Sequence, residues 1–388
     1  MQASEPLDSG ARPILVADVS PLWEKNYTGI SNVVYELTRR FLTEKRFEVS
    51  FSVFGKSVEP AAIERCIRDK SGAPLHEVFR VGKGVRDLEV KDGSVDGRPA
   101  YGLFTNTKPP HRVFTLDAQI FYDFSFFLTP ECHTRDTIAH HTAGIGAQVQ
   151  SNELFFCISE STARDLRWLY TVPEEKVVVS LLGSNIDEDV LGQIRQSIAG
   201  RSVEPYLLIL GTIEPRKNAC MVLEWLSRNP DVLHRYRVVF AGREGWGASF
   251  ADLVDGYSLG PAVDAGRIVH HGYVDEVLKT TLLLGAAAVV YPSLFEGFGL
   301  PVLEAMGLGT PVISSCSTSL PEVLGDDGYY FDPCSLESFE RAFQGFEADR
   351  RTGALAIRCE SAQKRAASFD YEKTYASVAG PLTRRFGL

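Results

Sequence analysis

From Tyr206 to Phe331 the chain repeats one pattern: a short apolar run, a polar turn, a helical pattern, then another apolar run. The runs are Tyr206 to Leu210, Arg237 to Ala241, Arg267 to His270, Ala287 to Tyr291, Pro311 to Ser314 and Tyr329 to Phe331, with helical spacing at Met221 to Leu226 and Glu276 to Leu284. Strands that alternate with helices must be parallel, with the helices covering both faces of the sheet. In such a doubly wound sheet ligands bind beyond the carboxyl ends of the strands.

The same alternation, less regular, occupies the first half. Pro13 to Val19 reads as a buried strand, and Ile30, Val33, Val34, Leu37 and Phe41 form a helical stripe. Gly29 stands where that helix begins, in the loop Tyr27-Thr28-Gly29-Ile30, as in βα loops that approach phosphates and equally in plain tight turns. Phe47 to Phe54 is a second strand. Val81 to Pro110, rich in glycine, proline and charge, reads as loop or hairpin. Then come the apolar run Gln119 to Phe127, a helical pattern from Thr134 to Gln150, the strand Leu154 to Ile158, a helix capped by Ser159 or Ser161, and the strand Val177 to Leu182. Gly183 to Glu204 is polar and charge-rich and marks a boundary. A chain of 388 residues exceeds one comfortable core. We therefore expect a first domain over residues 1–200, a second over 201–370 and a terminal segment over 371–388.

A net charge of -10 gives no electrostatic footprint for nucleic acid. The seven cysteines are scattered and never spaced C-x-x-C, as expected of buried thiols in a reducing compartment. Met1 to Arg12 lacks the basic start and apolar stretch of a signal peptide, and no apolar run reaches the roughly 18 to 20 residues of a membrane span. The expectation is a cytoplasmic protein, with peripheral contact at a membrane surface left open.

Chemistry concentrates in Tyr291-Pro292-Ser293-Leu294-Phe295-Glu296-Gly297-Phe298-Gly299-Leu300-Pro301-Val302-Leu303-Glu304. It starts at a strand end and enters a helix at Leu300 or Pro301, so the backbone N–H groups of Gly297, Phe298, Gly299 and Leu300 and the positive helix end suit an anion or sugar hydroxyls. Glu296 and Glu304 lie eight residues apart, able to reach different parts of one extended ligand. A carboxylate accepts two hydroxyls at once, which fits vicinal diols. The plainer alternatives are a helix cap for Glu296 and a surface position for Glu304. A second cluster, Gly211-Thr212-Ile213-Glu214-Pro215-Arg216-Lys217-Asn218, sets Arg216 and Lys217 at another strand end, where they can neutralise a diphosphate. Arg243, in the Gly242 to Gly247 loop, follows the next strand.

These motifs resemble the family-4 retaining glycosyltransferases of GT-B architecture: two Rossmann-like doubly wound α/β domains facing a cleft. Glu296 to Glu304 looks like their E-x7-E signature, and Glu214 to Asn218 and His271-Gly272-Tyr273-Val274 are similar to further landmarks of that family. The resemblance is strong from Tyr206 to Pro333 and weak in the first half. It implies that Arg216 and Lys217 bind the donor diphosphate, Glu304 the ribose and Glu296 the transferred sugar. Gly211, Arg243 and Gly297 to Leu300 would line the donor, Tyr273 and Val274 would border the nucleobase, and Gly29 would approach the phosphates. The last helical stretch, Tyr371 to Arg385, would cross back to the first domain. There are two departures. Gly211-Thr212 stands where many members have glycine-arginine, and Tyr122 stands where the family has a histidine beside the reacting sugar. A phenol there still donates a hydrogen bond.

Several rivals have less support. A dehydrogenase needs G-x-G-x-x-G and a nucleophile-elbow hydrolase G-x-S-x-G, and neither occurs. Asp187-Glu188-Asp189 has the D-x-D form of metal-dependent transferases, yet it lies in the polar linker. The adjacent pairs His140-His141 and His270-His271 point apart and make poor metal ligands. The expected activity is metal-independent transfer of a hexose, with mannose from GDP-mannose as the first choice, to a hydroxyl of a glycan or lipid-linked acceptor. No cofactor is expected beyond the nucleoside diphosphate sugar as co-substrate. The aromatic run Phe121, Tyr122, Phe124, Phe126 and Phe127 either faces that acceptor or fills a buried strand. A sugar-nucleotide epimerase on the same fold and a catalytically silent sugar-nucleotide-binding protein are the alternatives.

Overall fold

The computed structural model describes residues 13–27, 29–184, 186, 188–198 and 204–388. Two compact units emerge. Of the described residues, the first unit takes those within 13–122, 143–183 and 371–388, and the second those within 123–142 and 184–370. The boundary expected near residue 200 thus falls inside the second unit, whose helix Glu188–Ile198 occupies the polar stretch.

The strands of the first unit are β1 (Ile14–Asp18), β2 (Glu48–Val53), β3 (Lys56–Val58), β4 (Val85–Asp87), β5 (Val90–Lys91), β6 (Ser94–Val95), β7 (Arg98–Phe104), β8 (Leu116–Phe121), β9 (Leu154–Cys157) and β10 (Val177–Val179). The main sheet runs β10-β9-β8-β7-β1-β2-β3-β4, parallel from β10 to β2 and antiparallel at β3 and β4. The chain leaves β1 toward β2 and returns to β7 on the other side, so the topological switch lies between β1 and β7.

β7 is a central strand inside a stretch that reads as loop or hairpin. Arg98, Pro99 and Gly102 break its apolar pattern, and Gly102 is there because a Cβ would stand 2.4 Å from the Phe114 ring. The run Gln119 to Phe127 divides: β8 ends at Phe121, and Ser125–Leu128 is helical. The long helical pattern also divides, into Arg135–Thr142 and Ile145–Ser151, with Gly144 at φ +74 between them. Ser159 is the cap of the next helix, accepting from the Thr162 N–H. The final helix, Tyr371–Phe386, packs on this first unit through Phe41–Tyr375 and Tyr101–Phe386 ring contacts and a Thr374 hydroxyl bond to the Leu181 carbonyl.

The second unit holds β11 (Tyr206–Leu210), β12 (Arg237–Ala241), β13 (Ile268–His270), β14 (Ala288–Tyr291), β15 (Val312–Ser315) and β16 (Tyr329–Phe331), all parallel, in the order β13-β12-β11-β14-β15-β16. The six strands read from the sequence are these six, within a residue at either end. Apolar runs bounded by polar turns leave little freedom when both faces must be covered. One core packs Trp225 edge-on against Phe339 and Phe343, with centroids 4.8 Å apart in each case. The switch lies between β11 and β14.

All seven cysteines are free thiols; Cys66, Cys132 and Cys157 are buried, but Cys316 and Cys334 are exposed, against the expectation of burial. Among the described residues no helix is long and apolar enough to cross a membrane.

The loop between β7 and β8 is fixed by a buried charge pair. Lys108 Nζ stands 2.7 Å from Asp117 Oδ2, with both side chains sealed from solvent, and Asp117 also accepts the Val113 and Phe114 N–H groups. Replacing Lys108 by Met strands a buried carboxylate. Denaturant unfolding of Lys108→Met should show a loss of about 3 kcal/mol, against under about 1 kcal/mol for an ordinary surface lysine.

Candidate active site

In the second unit the loops after β11, β12 and β13 lie side by side at the carboxyl edge. Ile213 donates to Arg243 O and Gly245 donates to Ile213 O, each at 2.9 Å, while Gly242 donates to Gly272 O at 2.8 Å. His270 Nε2 bonds the Gly242 carbonyl at 2.8 Å, which occupies that histidine structurally. The packing is close enough that a Cβ on Gly242 would sit 1.9 Å from Gly211 O, so only glycine fits. This registry lines up Gly211, Arg243, Tyr273 and Val274. Arg243 is exposed and Tyr273 is 59% exposed.

The centre of the site lies at the switch between β11 and β14. After β11, the turn Pro215–Lys217 and a left-handed Asn218 aim Arg216 and Lys217 at the loop after β14. Asn218 ties the two loops by donating to Pro292 O at 3.2 Å, and Leu294 donates to Arg216 O at 2.8 Å. Lys217 Nζ then reaches Glu296 Oε1 at 2.5 Å and the Tyr291 hydroxyl at 3.2 Å. Arg216 bonds Phe295 O at 2.9 Å, Glu214 Oε1 at 2.9 Å and Glu296 Oε2 at 3.4 Å.

Glu296 is buried. Burial alone would raise its pKa, but Lys217 and Arg216 outweigh that and hold it at about 2. Lys217 is pushed below the ordinary lysine value by burial, against the pull of Glu296. Two carboxylates and two cations make the cluster formally neutral, so its strength is orientation rather than net charge.

Glu296 does not cap the following helix. Gly299 at φ +99 is the cap residue of Leu300–Leu308, Pro301 occupies the first turn, and no side chain caps it. The Glu296 carbonyl takes bonds from the Thr318 and Ser319 hydroxyls, which fixes the loop. The N–H groups of Gly297, Phe298 and Gly299 meet no acceptor among the described residues, as an oxyanion or hydroxyl site requires. Glu304, one turn into the helix, is not at the surface: it is buried and ion-paired to Lys279 at 2.9 Å. Lys279 comes from the helix Glu276–Gly285, which Asp275 caps directly after Tyr273 and Val274.

The segment 123–142, which belongs to this unit, adds residues that the sequence does not single out. Asp123 acts electrostatically on Arg216, and Arg216 in turn on His133. Burial first, then Arg216, lowers the His133 pKa, and its Nε2 is buried without a hydrogen-bond partner among the described residues. No sequence motif marks it; an unremarkable His-Thr pair becomes notable only through that burial. His140 is exposed, and His141 stacks on Phe126 at 5.0 Å.

Gly29, at φ +42, opens the helix Gly29–Phe41; its neighbour Thr28 lies outside the described residues. Tyr122 directly follows β8, with its hydroxyl donating to Thr105 O at 2.9 Å, and burial raises its pKa. Phe121, Phe124 and Phe126 are buried, packing respectively on Phe155, on Phe126 and on His141, so they fill interior rather than offer a face. Asp187 of the D-x-D stretch lies outside the described residues; Asp189 is in the helix Glu188–Ile198. Among the described residues no three His, Cys, Asp or Glu side chains gather as for a metal ion.

Known proteins share both sequence and architecture with this chain. Residues 192–367 match the family model of Glycosyl transferases group 1. O-antigen chain mannosyltransferase B of Escherichia coli is 32% identical over 239 residues, which span 59% of this chain and 60% of that relative's length. Sucrose-phosphate synthase from Thermosynechococcus elongatus superposes with a TM-score of 0.65 at 15% identity, covering 97% of this chain and all (100%) of that one. Anabaena HepE in complex with UDP superposes at 0.63 and 14% identity, covering 96% and 100%. The fold is GT-B.

The ion pair makes two stability predictions. Lys217→Met leaves buried Glu296 with Arg216 alone and should cost about 3 kcal/mol, whereas Lys217→Met combined with Glu296→Leu should cost less than the sum of the two single changes by 1 kcal/mol or more, roughly. Glu296 is depressed on folding, so its contribution is complete above the unfolded value near 4.5 and lost as pH falls toward about 2. Denaturation between pH 6 and pH 2, to order-of-magnitude precision, should show that acid-sensitive part missing from Glu296→Gln.

Proposed function

We propose, from the premise that residues 192–367 form a group 1 glycosyltransferase domain, that the chain transfers a hexose from a nucleoside diphosphate sugar to a hydroxyl of a glycan or lipid-linked acceptor. The observation that carries the reading is the Lys217–Glu296–Arg216 cluster beside the open N–H groups of Gly297 to Gly299, at the switch point of a doubly wound sheet. A diphosphate needs fixed N–H donors, a helix N-terminus and cations that gain most when the leaving oxygen charges. All three converge here.

In this reading the diphosphate lies over Gly297 to Gly299, with Lys217 and Arg216 on its distal oxygens and Arg243 at the rim. Glu296, oriented and kept ionised by both cations, accepts hydrogen bonds from sugar hydroxyls. Glu304, oriented by Lys279, accepts from the ribose diol. The C1–phosphate bond breaks as the acceptor oxygen bonds C1 on the same face, and the acceptor proton passes to the departing phosphate oxygen, so configuration is retained without a protein base. No metal is required. Mannose from GDP-mannose is the donor we favour, a choice supported by the mannosyl transfer named for the Escherichia coli relative. Free thiols throughout support a reducing, cytoplasmic setting.

The reading is tested by nucleotide binding and transfer in parallel. Glu304→Ala should weaken binding of free GDP, measured by calorimetry, because the ribose is part of it. Glu296→Gln should spare free GDP yet lower transfer on the order of 100-fold. Activity should persist in EDTA. Equal loss of GDP affinity in both variants contradicts the assignment, and strict Mg2+ or Mn2+ dependence contradicts the metal-free mechanism. GDP binding without transfer to any acceptor in a cell extract identifies a silent binder instead.

A further inference from the structure

Among the described residues of the first unit, Phe54, Lys70, Asp92, Asp96 and Thr171 have positive φ, and Phe54 is the aromatic among them. Val53 pairs with Lys56 across a two-residue hairpin whose central residues, Phe54 and Gly55, have φ +49 and +73. Such a turn favours Asn-Gly, since a bulky residue is strained in the left-handed region. Phenylalanine gains little there from burial either, because it is 59% exposed. Strain held at an exposed aromatic points to a task for the ring.

Its surroundings indicate which task. Trp23 stands edge-on to Phe54 at 5.4 Å, and is itself held by His76, stacked at 4.0 Å, and by Phe79 at 5.1 Å. His76 Nε2 bonds the Trp23 carbonyl at 2.8 Å, so the aromatic bed is fixed. On its other side the Phe54 N–H donates to Ser20 Oγ at 2.8 Å, and Ser20 Oγ donates to Asp18 Oδ2 at 3.0 Å. Ser52 adds a longer bond at 3.4 Å. Asp18 ends β1 at the switch with β7, where a doubly wound sheet takes its ligand. Asp18 Oδ1 accepts the Ser20 N–H at 3.2 Å, so one serine ties the backbone of Phe54 to a half-buried carboxylate. An apolar ring and a carboxylate carried on loops joined in this way complement a pyranose, which has one C–H face and a rim of hydroxyls.

We propose that Phe54, backed by Trp23, and Asp18 form a saccharide platform that holds a pyranose ring of the acceptor glycan, its C–H face on the phenyl ring and its hydroxyls on the carboxylate. The inference rests on the transferase reading for the word acceptor, but the platform is tested by binding alone. Full-length protein is examined by saturation-transfer NMR and tryptophan fluorescence with methyl α-mannoside, mannobiose and the matching glucosides and galactosides, with GDP titrated in parallel. Phe54→Asn suits the left-handed turn and so keeps the fold; Asp18→Asn keeps the shape of the side chain.

Wild type should bind at least one of these saccharides, with saturation strongest on the C–H protons of one sugar face. Each variant should bind it roughly tenfold more weakly at unchanged GDP affinity. Unchanged saccharide affinity in Phe54→Asn overturns the platform, as does wild type that binds GDP but no saccharide. Loss of self-association in Phe54→Asn without an effect on sugar binding also overturns it, in favour of a protein contact. If wild type binds neither GDP nor saccharide, the transferase reading falls as well.

Discussion

The buried pairing of Lys217 with Glu296 is the interaction on which the second unit's candidate site is built. Lys217 leaves the end of β11 and Glu296 the end of β14, strands that are neighbours in the sheet but far apart in the chain. Taking two charges out of water is costly, and such a pair holds only if both loops are fixed in advance. Here Asn218 bonds the Pro292 carbonyl, Arg216 O accepts from Leu294, and the Glu296 backbone is clasped by Thr318 and Ser319. The backbone thus fixes the pair, and the pair fixes the carboxylate. A neutral, preorganised cluster next to open N–H groups can meet a developing negative charge with little rearrangement.

Both units place polar side chains at their sheet's switch point, but in different ways. The second uses matched ion pairs: Lys217 and Arg216 with Glu296, and Lys279 with Glu304. The first uses Asp18, held by the Ser20 N–H and by the Ser20 and Ser52 hydroxyls with no cation among the described residues, and burial pushes its pKa up to about 6. Glu296, held by two cations, stays ionised, and in the proposed reading it suits the hydroxyls of a charged donor, whereas a half-buried carboxylate held by hydroxyls suits a neutral polyol. That difference in chemistry is the one the proposed nucleotide-sugar donor and glycan acceptor call for.

Much of this was legible in the sequence because β11 to β16 are continuous apolar runs, which is how strands covered on both faces must read. The signature from Glu296 to Glu304 was legible for a related reason: its loop, N–H groups and proline follow from local backbone rules. β7 was not, since Arg98, Pro99 and Gly102 interrupt its pattern and only the Phe114 ring explains the glycine. Partnership was also hidden. Nothing local shows that Glu304 is buried against Lys279, that the Tyr122 hydroxyl serves Thr105, or that residues 123–142 join the second unit and bring His133 under the field of Arg216. These depend on contacts between distant segments, to which periodicity is blind.

In the proposed function the donor diphosphate sits at the β11–β14 switch, against Lys217, Arg216 and the N–H groups of Gly297 to Gly299. A crystal structure of the protein soaked with GDP-mannose would place it. Phosphate oxygens are expected within about 3 Å of Lys217 Nζ and of at least one of those N–H groups, with the ribose diol on Glu304. A nucleotide bound elsewhere, or bound there with its phosphates turned away from Lys217 and Gly299, would contradict it.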